Sequence, residues 1–390
     1  MCIRDRIITG GLIGTETVSA TGGASFNTKD VATANLVTVN STALANGANG
    51  GIASNYSLVT GQTVAANITP KALTASATAS NKVYNGNTIA TPTLTVTGGL
   101  VGTETVSATG TGSFNTKDVL TANLATVNST LLADGSNGGL AGNYSLGTGQ
   151  TAAASITPKA LTAGGTASNK VYDGTVTATP TLTISGGLVG SETVLASGTG
   201  NFDSKDVLTA SSVTVATTSL ANGSNGGLGS NYSLGSGQVL AANITAKALT
   251  ASASAPNKVY DGTTTAGPVL TVSAGLVGLE TVGATGTGSF NTKDVSTATT
   301  VTVNSTALAN GTGGGLASNY NLAAGQTAAA SITPKALTAV AVGGNKVYDG
   351  NANAAPTLNL AGGGLVGFET LNASLAATFN SKDVLNANLI

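Results

Sequence analysis

Among 390 residues the chain has no histidine, no tryptophan, one cysteine and one methionine, and only 8 % of its side chains are charged. Without histidine the usual general base near neutral pH is missing, and with it the Ser-His-Asp and Cys-His nucleophile systems and most zinc or copper sites. A lone Cys2 excludes an internal disulfide framework and a thiolate cluster. Cysteine avoidance suits a long chain exported unfolded, and it suits many cytosolic proteins as well. No run of about 18 apolar residues is present, so no helical membrane span is expected. A formal net charge of −1 leaves no electrostatic footprint for nucleic acid or anionic lipid. Aromatic residues make up 4 % of the chain. With little charge the chain departs from the usual charged disordered sequence, and with small side chains any core must be thin and well patterned.

What is present is repetition. Tyr84, Tyr172, Tyr260 and Tyr348 stand 88 residues apart, each in the string Asn-Lys-Val-Tyr-(Asn/Asp)-Gly. A period of about 20–50 residues would mean a solenoid coil or a propeller blade, whereas one near 90 is the size of a small domain. All 13 lysines fall on three repeat positions, the Lys71, Lys82 and Lys29 series, the last running Lys29, Lys117, Lys205, Lys293 and Lys382. The eight tyrosines fall on two, the Tyr84 series and Tyr56, Tyr144, Tyr232 and Tyr320. Five phenylalanines, Phe26, Phe114, Phe202, Phe290 and Phe379, occupy one more. Each repeat would bury roughly 60–65 % of its unfolded surface and be modestly stable alone.

Within a repeat, apolar and small polar residues alternate at period two in short runs. Leu73, Ala75 and Ala77 share one face, then Leu94 and Val96, Val106 and Ala108, Tyr144 and Leu146, and Ala152, Ala154 and Ile156. Sister copies show the central run as Val37 and Val39, Val213 and Val215, and Val301 and Val303. Threonine-rich alternation broken by Gly-Gly, Asn-Gly and Asp-Gly predicts strands and turns, and nothing shows the period of a helix. About seven strands per repeat predict an all-β fold, a tandem array of antiparallel β-sandwich (Ig-like) domains. Tyr84-Asn85-Gly86 becomes Tyr172-Asp173-Gly174, Tyr260-Asp261-Gly262 and Tyr348-Asp349-Gly350. Asn and Asp both accept positive φ, so a tight hairpin turn is expected there, not a catalytic carboxylate.

The segment Ile68-Thr69-Pro70-Lys71 recurs at Ile156 and Ile332 and joins one repeat to the next. Proline removes a ladder donor and holds the chain extended, so these joints should be short and stiff; Ala246 replaces it once and should loosen that joint. The expected domains are a partial repeat at 7–69, complete repeats at 70–157, 158–245 and 246–333, and a partial repeat at 334–390. Residues 1–6 match no repeat, although they hold both arginines, the cysteine and the methionine, and read as a non-native leader and not a signal peptide. On this reading the sequence is a fragment of a longer protein. Three whole repeats and two partial ones should extend on the order of 120–150 Å, and 7–69 and 334–390 should be the less protected segments.

The Lys29-Asp30, Lys117-Asp118, Lys205-Asp206, Lys293-Asp294 and Lys382-Asp383 pairs, with Glu16, Glu104, Glu192, Glu280 and Glu369, recur in all five copies. The plain expectation is an exposed strand-edge pair plus a turn carboxylate, which keeps edges from pairing between molecules. Calcium would need more carboxylates or an Asp-x-Asp-x-Asp-Gly loop. A Lys–Asn isopeptide crosslink promoted by an acidic neighbour would need a buried lysine. The tyrosines and phenylalanines could present a sugar-stacking surface, but in a core of Ala, Val and Leu they are expected to be the main packing elements. Triplets such as Asn40-Ser41-Thr42 and Asn55-Tyr56-Ser57 match a glycosylation pattern at chance frequency, and Gly314-Gly315 lacks the Lys-Ser/Thr and helix of a phosphate loop. Ice-binding solenoids place threonine pairs on a short coil period that is missing here. No residue is assigned a catalytic, cofactor-binding or metal-binding role, and no cofactor is expected.

Five motifs follow one another in the same order within a repeat; quoted from two neighbouring copies they are Lys170-Val171-Tyr172-Asp173-Gly174, Gly186-Gly187-Leu188-Val189-Gly190 with Glu192-Thr193, and, from the copy before, Phe114-Asn115-Thr116-Lys117-Asp118-Val119, Gly142-Asn143-Tyr144-Ser145-Leu146 and Ile156-Thr157-Pro158-Lys159. Together they resemble the YDG-type repeat of large bacterial surface proteins, the filamentous-haemagglutinin-like adhesins and exoproteins in which MBG-type repeats share a similar plan. The resemblance runs from Ile7 to Ile390. It implies a mainly β, secreted or cell-surface protein with a stalk or adhesive role and no enzyme activity. Two functions follow as expectations: a structural stalk or spacer, or multivalent modules that weakly bind host or biofilm glycans or neighbouring copies of themselves, with avidity from number.

Overall fold

A computed structural model describes residues 2, 3, 8, 10–360 and 364–390; Met1 and Arg4–Arg6 of the expected leader lie outside the described residues. The described chain is all-β, without an α-helix and with four single-turn 3-10 segments. In the repeat that starts at Lys71 the strands are β1 (Lys71–Thr78), β2 (Lys82–Val83), β3 (Ile89–Ala90), β4 (Thr93–Gly98), β5 (Val106–Phe114), β6 (Leu124–Asp134), β7 (Tyr144–Leu146), β8 (Thr151–Ala153) and β9 (Ile156–Thr157). The same lengths recur from Lys159 and again from Lys247.

Seven of these strands form one curled sheet in the order β7-β1-β4-β5-β6-β8, with β3 added beside β5, while β2 and β9 form a two-stranded sheet of their own. Antiparallel pairing dominates. β5 runs against β6 from Val106 opposite Asp134 to Phe114 opposite Ala125, with a bulge at Thr111/Gly112. Two pairings are parallel: β7 lies on β1 with Tyr144 beside Lys71, and β9 lies on β2 with Ile156 beside Lys82. Period-two alternation sends Leu73, Leu94, Val106, Tyr144, Ala152 and Ile156 inward, where all are buried. The sheet's other sides keep threonine and serine at the surface.

The Tyr84-Asn85-Gly86 segment is not the expected hairpin. β2 pairs with β9 and β3 with β5, so the turn carries the chain between two sheets. Its geometry is an Asx-turn: Asp173 Oδ1 accepts the Thr175 amide at 2.9 Å, and only the glycine takes positive φ, +81° at Gly86 and +80° at Gly174. Backbone of the primed-turn kind occurs instead at Asn137-Gly138, with φ of +56° and +84°, where the Asn137 side chain also donates to the Thr103 carbonyl. Across the Ala246 joint the strands Ile244–Thr245 and Lys247–Ser254 keep the spacing seen across Pro158.

The chain forms two compact units, one of Met1–Gly164, Thr183–Ser197 and Thr218–Gly235, the other of Gly165–Leu182, Gly198–Thr217 and Ser236–Ile390. In the first, Tyr84, Phe114, Ala125 and Ile156 of one repeat share a single core with Leu161, Val194 and Tyr232 of the next. In the second, Tyr172, Phe202, Val213 and Ile244 share one with Leu249, Val282, Val303 and Tyr320. Each core therefore continues through a repeat junction.

Candidate functional site: the repeat junction

In the first unit the junction starts from a loop. Asn115 Oδ1 accepts the Asn123 and Leu124 amides, and the Thr121 and Ala122 amides donate to the Asp118 carbonyl, which fixes Lys117 and Asp118 in place. These two residues are not on a strand edge, as the sequence suggested, but in this loop, where their side chains are 38 % and 31 % exposed. Glu192 sits in a turn, as expected, closed by its amide donating to the Val189 carbonyl.

The loop and the turn meet over two tyrosines. Tyr84 OH donates to Glu192 Oε1 at 2.7 Å, and Tyr232 OH donates to Glu192 Oε2 at 2.6 Å. The Val189 amide donates to the Tyr232 oxygen at 3.1 Å, and Lys117 Nζ to the Tyr84 oxygen at 3.2 Å. The rings pack edge to face with centroids 5.4 Å apart, a favoured geometry for the aromatic quadrupole. Asn231, fully buried, donates to Asp118 Oδ1 at 2.9 Å and accepts the Val119 amide at 2.8 Å, so one amide side chain reads a carboxylate and a backbone group together. Six polar side chains from two repeats thus satisfy one another, as burial requires.

The second unit repeats this arrangement. Glu280 accepts from Tyr172 and Tyr320, both at 2.6 Å; Asn319 donates to Asp206 at 2.8 Å and accepts the Val207 amide at 2.9 Å. At Lys29 the same loop pairs Asp30 with Asn143 at 2.8 Å, and Tyr144 donates to Glu104 at 2.6 Å.

Protonation equilibria follow the contacts. Burial first, and the hydrogen bond to Glu192 second, push the Tyr232 phenol up to about 12; burial and Glu280 do the same to Tyr320. The Asn231 amide holds Asp118 below the ordinary carboxylate value despite burial, with Lys117 adding to the effect. Both tyrosines are therefore neutral donors and Asp118 an anionic acceptor near neutral pH.

A second lysine series clips the Asx-turn. Lys170 Nζ donates to Asp173 Oδ1 at 2.8 Å, Thr175 Oγ1 at 2.9 Å and the Thr177 carbonyl at 3.1 Å, above the Phe202 ring. Lys258 holds Asp261 in the same way at 2.8 Å. The rings of Tyr84, Tyr172, Phe114, Phe202 and Phe290 are buried and so present no surface to a sugar. Among the described residues no three His, Cys, Asp or Glu side chains group closely enough to hold a metal ion. The Lys29-series side chains are 38 % to 68 % exposed, short of the burial an isopeptide bond would need. No helix among the described residues is long and apolar enough to cross a membrane.

Sequence reasoning paired Lys with Asp but missed Asn231 and Asn319. Their signal was present, since Asn55, Asn143, Asn231 and Asn319 each precede the tyrosine of one repeat series.

Taken together, this is an array of all-β repeats whose neighbours are tied at polar, tyrosine-lined junctions. The chain belongs to the YDG family: the YDG domain matches residues 69–153, 157–239, 245–329 and 333–390. Comparison with curated proteins finds no match. A solved tandem of titin domains is 9 % identical over 67 % of this chain and 99 % of that one, at a TM-score of 0.21, too low to carry any argument. An all-β array of YDG repeats is not an architecture typical of enzymes.

Proposed function

We propose that these repeats are structural, a stalk or spacer segment of a secreted or surface-anchored bacterial adhesin. One observation carries this reading: the two junctions that join the complete repeats are each sealed by a shared core and by the Glu-Tyr-Tyr and Asp-Asn hydrogen bonds, so their polar chemistry is spent on holding one repeat to the next. Residues with this role are useful to a load-bearing connector. Asn231 and Asn319, fully buried, are out of reach of any substrate.

Small-angle scattering of the chain tests the spacer reading, with an expected extension on the order of 120–150 Å. A compact globule overturns it. Glycan arrays probed with one repeat and with four separate it from the adhesive alternative: a spacer binds at neither valency, whereas binding that grows steeply with repeat number would establish multivalent recognition.

A further inference from the structure

Seven asparagines in this chain precede glycine: Asn46, Asn49, Asn85, Asn137, Asn222, Asn225 and Asn310. At such a step the glycine amide nitrogen, once deprotonated, can attack the asparagine Cγ. The C–N bond to the side-chain nitrogen breaks, ammonia leaves, and a succinimide ring closes. Water then opens the ring at either carbonyl and gives aspartate or isoaspartate. One water enters, one ammonia departs, and nothing is oxidised or reduced. Two things stop this reaction in a folded chain: an occupied glycine amide, or a carboxamide tied down away from it.

The fold applies one or the other at six of the seven sites. The amides of Gly47, Gly223 and Gly311 are engaged, donating to the carbonyls of Gly51, Gly227 and Gly315 at 3.0 Å, and the preceding Asn46, Asn222 and Asn310 side chains accept the amides of Ala53, Gly229 and Ala317. Asn49, Asn137 and Asn225 donate their carboxamides to the carbonyls of Thr15, Thr103 and Ser191 at 2.8–2.9 Å, which belong to another loop. Asn85 alone is tied to nothing outside its own turn. Its side chain only accepts the Asn87 amide at 3.3 Å, its residue is exposed, and the Gly86 amide makes no hydrogen bond among the described residues.

The sister turns show where the product would fit. Asp173, Asp261 and Asp349 each meet a lysine at 2.8 Å. Lys82 instead donates to the Asn87 carbonyl and side chain and to the Ile89 carbonyl, with no carboxylate beside it. We propose that Asn85 is the deamidation site of this chain, and that its aspartate product takes up the lysine clip already present in the other three turns.

The test is ageing of the intact chain at mildly alkaline pH, followed by peptide mapping of all seven sites. Asn85 should convert faster than each of the others by roughly tenfold, the factor that one net hydrogen bond supplies. Any other site keeping pace overturns the assignment. In denaturant the seven rates should converge, and an Asn85 lead that survives there would mean that local sequence, and not the fold, sets it. For the product, the Asn85→Asp variant should exchange its Asn87 and Ile89 amides more slowly than the parent chain; no slowing overturns the completed clip.

Discussion

Replacing Tyr84 by phenylalanine removes one oxygen from the junction and leaves its packing intact. The ring is 1 % exposed and stays edge to face with Tyr232, so the aromatic contact and the buried area survive. What is lost is the donor at 2.7 Å from Glu192 Oε1 and the acceptor at 3.2 Å from Lys117 Nζ. Glu192 Oε1 then keeps only Lys117, at 4.0 Å, although the carboxylate is just 12 % exposed. A hydrogen bond to a charged, part-buried group is worth about 1.5–3 kcal/mol, so native-state hydrogen exchange of amides around this junction should accelerate roughly 10- to 150-fold. Exchange is the appropriate assay because an array with coupled repeats has no single unfolding free energy. Adding Glu192→Gln to the variant should cost less than the sum of the two single changes, since both remove the same interaction. Additive effects, or acceleration below about threefold, would refute the view that these residues act as one latch.

Asn231→Ala should destabilise the same junction by about 1–3 kcal/mol, because Asp118 and the Val119 amide lose a buried partner, whereas Asn55→Ala, at an exposed side chain, should stay within about 0.5 kcal/mol; native-state hydrogen exchange of the amides around each site compares the two variants. On the alkaline side, Tyr232 and Tyr320 have folded values raised to about 12 from an ordinary 10, so their contribution is complete below pH 10 and is lost as pH climbs towards 12. Circular dichroism unchanged between these limits would contradict that. On the acid side the sign reverses: Asp118 is held below 3.8, so its contribution is present above that pH and disappears as pH falls beneath it, with Asn231→Ala flattening the dependence. Amides of 334–390, where no described residue is buried and Tyr348 is 57 % exposed, should exchange well before those of 70–333, and equal protection would contradict the difference in packing.

The sequence by itself determined what is local. Alternation at period two placed Leu73, Leu94, Val106 and Tyr144 on inward faces, because a strand's side chains point to opposite sides whatever its partner. Recurrence picked out Tyr84, Tyr172, Phe114, Phe202 and Phe290 as core, since a thin core of alanine and valine needs its large rings inside, although the copy at Tyr348 is 57 % exposed. Tertiary structure decided everything that depends on which distant segments meet. Alternation does not say that β7 lies parallel on β1, with Tyr144 beside a lysine 73 residues earlier, or that β2 pairs with β9 and so turns an expected hairpin into a crossover. Nor does it say that Asn231 reaches Asp118 across 113 residues. Each residue type there allows several partners, and only the packing of one repeat against the next leaves a buried carboxylate that a tyrosine pair and an asparagine must satisfy.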